Sequence, residues 1–288
     1  VTAMSASSAT PSPPPSGALT HPVAAQNSRA GHSRTAWLPA TAVGVALVLV
    51  WWLASLGAEA LPGPATTAAA LADMASDGRL VSILWRLTAF MAVCFAIAVV
   101  LGVAGGLAIG MSRGGDRGLS PYLAALQGMP TSMWIPVAAI VLGTDVWSLG
   151  AVVALGAVPA IMLGTRTAVR NVPPLLLRAG RTLGESGTSL VRRVVLPAAL
   201  PGIMTGVELG WSIAFRSLVA GEIFSGALSG TGIGTVISRS RETGDLTEMM
   251  ATIVIVLAFT VVVDRLVFSR VQTRLRARRG LVDAGLPH

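Results

Sequence analysis

Three ionisable side chains interrupt one apolar run. Between residues 200 and 224 the chain carries Glu208, Arg216 and Glu222 among Leu, Ile, Val, Ala and Phe. At about 100° per helical residue, Glu208 and Glu222 fall about 40° apart and Arg216 about 80° from Glu208. A guanidinium so placed has two uses. It can close an ion pair with a carboxylate on a neighbouring helix, or it can line a water-filled path and offer its planar fork of donors to an anion such as a sulfonate. Asp264 and Arg265 lie in a later apolar run near one end, where long side chains reach water, and read as structural.

Other chemistries lack their residues. All 21 cationic side chains are arginine; without lysine there is no phosphate-binding loop of the GxxxxGK[ST] kind, so ATP is not bound that way here. The lone Cys94 lies in an apolar run, and His21, His32 and His288 lie near the two ends. This leaves neither a metal cluster nor a His or Cys catalytic pair within the apolar segments, and no cofactor is expected in this chain. The net charge of +8 is explained by a positive-inside bias rather than by nucleic acid.

The elements that must carry these residues are membrane helices. The 288 residues are 53% hydrophobic and 12% charged, with a mean hydropathy of +0.71, against about 25% charged residues in ordinary soluble domains. Six apolar segments, at 38–57, 83–111, 122–142, 146–169, 200–224 and 249–269, each approach the roughly 20 residues a helix needs to cross hydrocarbon. The second is over-long and suggests an interfacial start at LVSILWRL, with Arg86 reaching the headgroups. The third contains Pro130 and Pro136. Fifteen of the 21 arginines then flank one side, which predicts a multi-pass protein of the cell membrane with both termini cytoplasmic. Residues 1–36, rich in Ala, Ser, Pro and Thr, read as a disordered cytoplasmic tail; residues 37–272 form the transmembrane domain and 273–288 a basic cytoplasmic tail. The outer loop before the second segment is long enough for a short helix, and SGALSGTGIGTV reads as flexible. No internal repeat is visible, which disfavours the rival reading, a secondary transporter working without an ATPase.

Between the fourth and fifth segments the chain turns polar, as RAGRTLGESGTSLVRRVVLP over 178–197. Pro173 and Pro174 suit a first helical turn, LLLRAGRTL continues it, and Gly184 can close it in a left-handed conformation. LVRRVVLP forms a second short helix, and Pro197 with Pro201 restarts the chain as the fifth span. Such a helix-turn-helix is either an interfacial linker whose arginines meet anionic lipid or a docking element for a groove on a cytoplasmic partner. The small Ala179 and Gly180 favour docking.

The same stretch resembles the membrane subunits of binding-protein-dependent ABC importers, which carry EAA, three residues, G, nine residues, I, one residue, LP. This chain reads Arg178-Ala179-Gly180, three residues, Gly184, nine residues, Val194, Val195, Leu196-Pro197. Arg178 replaces the pattern's Glu and Gly180 its second Ala. The wider wording from Val172 to Phe224 looks like the branch that imports taurine, alkane sulfonates and nitrate. The resemblance implies an all-α type I importer permease fold of six transmembrane helices, with a coupling helix between spans four and five. It further implies a coupling surface of Arg178, Ala179, Gly180, Leu183, Gly184, Glu185, Val194, Leu196 and Pro197. The implied partners are two ABC ATPase subunits that bind ATP and Mg, an extracytoplasmic binding protein, and a second copy of the permease.

Overall fold

The computed structural model describes residues 37–57, 61–225 and 232–271; the tails expected at 1–36 and 273–288 lie outside these. The chain divides into two units, Val1–Leu47 and Val48–His288. Described residues of the first belong to the opening turns of helix α1, Trp37–Gly57. All further elements belong to the second unit, and among the described residues there is no strand.

The order is helical throughout: α2 (Pro64–Ser76), α3 (Arg79–Met111), α4 (Arg113–Gly128), a 3₁₀ turn (Thr131–Trp134), α5 (Ile135–Leu142), α6 (Val146–Arg170), α7 (Pro174–Thr182), α8 (Gly187–Leu190), a π-helical turn (Val191–Val195), α9 (Leu196–Ser225), α10 (Ile233–Thr243), α11 (Leu246–Val263) and a second π-helical turn (Asp264–Phe268). Among the described residues four helices are long and apolar enough to cross a membrane, five if one bent pair is counted as a span. The first expected span is represented by the shorter apolar stretch Ala42–Gly57.

Small residues bring the long helices together. Gly202, Gly206 and Gly210 recur every fourth residue on α9 and face Ala168, Gly164 and Ile161 of α6; a Cβ on Gly164 would stand 2.5 Å from the Gly206 Cα. Gly102, Gly106 and Gly110 repeat the spacing on α3 against Ile161, Thr165 and Val169 on the same central helix. Lipid offers helices no hydrophobic reason to associate, so close backbone approach and dispersion must hold the bundle. α6 is accordingly clamped between α3 and α9, with Val153, Ala157, Ala160 and Ile161 fully buried.

The second span is one helix of 33 residues from Arg79, over-long as its sequence indicated, with LVSILWRL as its opening turns. Three expectations change. The third span is not a straight crossing of 122–142: α4 stops at Gly128, and the chain turns by 96° into Thr131–Leu142. Met129 precedes a proline and is driven to φ −83°, ψ 137°, while Pro130 brings no N–H to continue the helix. The fifth span does not restart at Pro197. It is continuous with the loop's second helix as a 38-residue unit, Gly187–Phe224, because the widened π-helical turn at Val191–Val195 accommodates the ring of Pro197 two residues later. Lastly, part of the outer loop expected to be flexible forms α10.

Candidate functional site

Two features stand out along Gly187–Phe224. At one end lies the 173–197 loop. α7 closes on Leu183, after which Gly184 takes φ +85°. The Glu185 N–H donates to the Gly180 carbonyl and the Gly184 N–H to that of Arg181, both at 3.0 Å. This Schellman pair satisfies the last carbonyls of α7 and requires the left-handed residue. After the turn the Ser186 N–H donates to Ser189 Oγ at 3.2 Å. Arg193 Nη1 reaches back to Glu185 Oε1 at 2.6 Å, and the Ser189 hydroxyl, then the Arg193 guanidinium, hold the Glu185 carboxyl below its ordinary range.

Gly180 is buried, and a Cβ there would stand 2.8 Å from Leu190 Cδ1 and 2.9 Å from Val194 Cγ2. Its smallness is thus used inside the loop, to seat α7 on the following helix, rather than left for a partner. Val172 and Val195 anchor the base in the core. Arg178, Ala179, Arg181 and Gly184 remain exposed, as does Pro197. Leu183 is 83% and Leu175 75% exposed; Leu196 and Val194 are half-buried. Nearby, Asp116 of α4 pairs with both Arg166 and Arg170 of α6, the latter at 2.9 Å. Among the described residues no carboxylate lies within ion-pair distance of Arg178, Arg181 or Arg192. The loop therefore presents a rigid, cationic face studded with leucine.

Further along the same helix, Glu208 and Arg216 line an open cavity of about 1070 Å³ between α9 and α11. Trp211 and Phe215 form part of its wall, 6.4 Å apart between ring centroids, and are packed with Phe95, Phe259 and Phe268 at centroid distances of 5.1 to 5.9 Å. Arg216 is exposed, and its Nε donates to the Ser212 carbonyl at 3.1 Å. Among the described residues no carboxylate stands within ion-pair distance of it. Arg216 also borders a second cavity of about 420 Å³ at the break Gln127–Ser132, where Ser217 Oγ lies 2.8 Å from Thr131 Oγ1. Arg216 thus faces two hollows, one of them walled by a broken helix with polar backbone.

Glu222 is set apart from this cavity. It is 1% exposed, and its Oε2 accepts from the Gly234 N–H at 3.1 Å, so it receives the N-terminus of α10, where a carboxylate is favoured. A Cβ on Gly234 would stand 2.4 Å from the Glu222 carbonyl carbon, so the two backbones touch. The structure brings Glu208 and Arg216 together and separates Glu222 from them.

Asp264 and Arg265 line the same cavity as Arg216, as sequence reasoning did not foresee when it read them as structural. The break at Gln127–Ser132 was signalled by Pro130, but the cavity that it shares with Arg216 was not foreseen, although a Gly/Pro-interrupted apolar segment is the available signal for such a place.

Residues 98–280 match the family described as binding-protein-dependent transport system inner membrane component. Among relatives, the Escherichia coli permease protein SsuC, named for aliphatic sulfonates transport, is 32% identical over 69% of this chain and 76% of its own length. Its Bacillus subtilis namesake is 27% identical over 78% and 82%. The bicarbonate transport system permease protein CmpB of Synechococcus elongatus is 26% identical over 76% and 83%. The fold is shared with a chain of the MetNI methionine ABC transporter solved in inward-facing conformations, with a TM-score of 0.55 at 22% identity, covering 68% of this chain and 95% of that one. The fold is that of a type I ABC importer permease, and the chain belongs to the family of binding-protein-dependent transport system inner membrane components.

Proposed function

We propose that this chain forms the translocation pathway of an ATP-driven importer for a small anion, and that the 173–197 loop couples it to a separate ATPase. The observation that carries the reading is continuity: Gly187–Phe224 is one helix, beginning within the 173–197 loop and carrying the Glu208–Arg216 cavity wall farther along. A push on α7 enters that helix through the packing of Gly180 on Leu190 and Val194 and through the Glu185–Arg193 pair. From Val194 to Arg216 the helix advances about 33 Å, so a small tilt at the loop becomes a displacement of the guanidinium. The π-helical turn at Val191–Val195, where that packing enters the helix, is a place for that tilt, since such turns interrupt the regular ladder.

The loop is cytoplasmic in this reading, with both termini on the same side. ATP and Mg belong to two partner ATPase subunits, and an extracytoplasmic binding protein delivers solute to a homodimer of the permease. The anion class rests on Arg216, a guanidinium open to the cavity, and on relatives named for sulfonate and bicarbonate transport. Membership of a binding-protein-dependent family supports this reading over a secondary transporter. The test is co-retention of the cognate ATPase on tagged permease. Leu183→Asp and Leu175→Asp should lose the ATPase while the permease keeps its Tm; full retention by both variants would overturn the docking assignment.

A further inference from the structure

A groove of about 810 Å³ runs between α3 and α6, at the end of α6 remote from α7. At its mouth stand Trp85, Arg86 and Trp147; below them it is walled by Val93, Ile97 and Ala154. Trp85 is 73% and Trp147 81% exposed. The α3 stripe from Arg86 to Ile97 is about 16 Å long, enough for a lipid headgroup and the upper part of its acyl chain. Gly150 faces Cys94 and Phe90 without a side chain, a Cβ there lying no nearer than 3.7 Å to either, and so leaves the groove open midway.

Depth follows from the other end of α3. Counting about 20 residues back from Met111 places the hydrocarbon boundary near residue 91, and Arg86 about 8 Å beyond it, at headgroup level. Trp147, the second residue of α6, falls near the same boundary, where indole rings concentrate. The two arginines at this end of α3 differ. Arg79 pairs with Glu248 at 3.0 Å and Asp77 at 3.4 Å. Arg86 is exposed, and among the described residues no carboxylate lies within ion-pair distance of it.

We infer that this groove is a binding site for an anionic phospholipid, with the phosphate on Arg86 between the two indoles and one acyl chain laid along α3 and α6. An apolar protein helix covering the groove would bury the guanidinium without a counter-charge, which is costly. A lipid phosphate supplies that charge while its chain covers the apolar wall.

The experiment uses the full-length protein in phosphatidylcholine vesicles and reads tryptophan quenching by brominated phosphatidylglycerol against brominated phosphatidylcholine. Wild type should prefer the anionic lipid about fivefold, the effect of one arginine near a membrane surface. Arg86→Gln should bring the preference close to one, and Arg86→Lys should keep most of it. In the double variant Trp85→Phe/Trp147→Phe the anionic component of quenching should vanish. The inference is overturned by equal quenching by both lipids in wild type, by a preference that survives Arg86→Gln, or by an anionic component that persists without the two indoles. Wild-type indoles out of reach of either brominated lipid would show that protein fills the groove, and would overturn it equally.

Discussion

Gly184→Val isolates the loop from everything else. Nothing lies within 4 Å of a Cβ built there, so the substitution creates no clash and acts only through the backbone, held at φ +85°. A side chain in the left-handed region costs about 1–2 kcal/mol, and a β-branched one sits at the upper end. That corresponds to about a 5- to 30-fold rise in the open population of the turn. The assay is amide exchange at Glu185, whose N–H is bonded to the Gly180 carbonyl at 3.0 Å. Its protection should fall by that factor in Val, by less in Ala and least in Asn, which tolerates this conformation. Exchange in the α6 core and the Tm should be unchanged, and ATPase co-retention should fall in the same order. Equal protection in all four proteins would refute the argument that the left-handed turn positions α7.

Further expectations follow from the packing and the charges. Gly206→Leu should lower the Tm and the yield of assembled protein, because a Cβ there would stand 2.9 Å from the Gly164 Cα and overpacking costs about 1–3 kcal/mol or more. Glu222→Ala should release α10, measured as faster exchange at Gly234, while Glu222→Gln, which keeps an acceptor for the Gly234 N–H, should retain most protection. Because the Glu185 carboxyl titrates below its ordinary 4.5 when folded, its contacts stabilise the loop above that pH and are lost as pH falls below it; Glu185→Gln should remove this acid sensitivity of loop exchange. Arg216→Gln should assemble normally and lose transport of a sulfonate or bicarbonate, with Arg216→Lys intermediate. If instead Gln lowers the Tm and added neutralisation of Glu208 restores both, the guanidinium is structural.

The membrane class was legible in composition because lipid leaves the backbone few choices, and the left-handed glycine because a helix followed by Gly184 has one common way to end. What escaped the sequence depended on distant partners. Pro130 announced an interruption, but the 96° turn needs α6 and α9 behind it, with Gly156 making room for Thr131 and Ser217. Pro197 looked like a restart, and the π-helical turn that carries the helix past it is invisible to periodicity. α10 was hidden in a glycine-rich stretch because a carboxylate twelve residues earlier, Glu222, receives its N-terminus. Gly180 was read as leaving room for a partner, whereas that room is taken by Leu190 and Val194. Of the three charges in the fifth span, only Glu208 and Arg216 share the cavity, since 40° of helical phase does not overcome the 21 Å rise that about fourteen residues put between Glu208 and Glu222.

On the proposed mechanism, ATP hydrolysed on another polypeptide drives solute through this chain. The direct measurement is solute accumulation in vesicles reconstituted with the permease, its ATPase and its binding protein, with ATP supplied and ion gradients collapsed. Accumulation should run uphill, require ATP and both partners, and be lost in Leu183→Asp. Accumulation by the permease alone, driven by an ion gradient and indifferent to ATP, would contradict it.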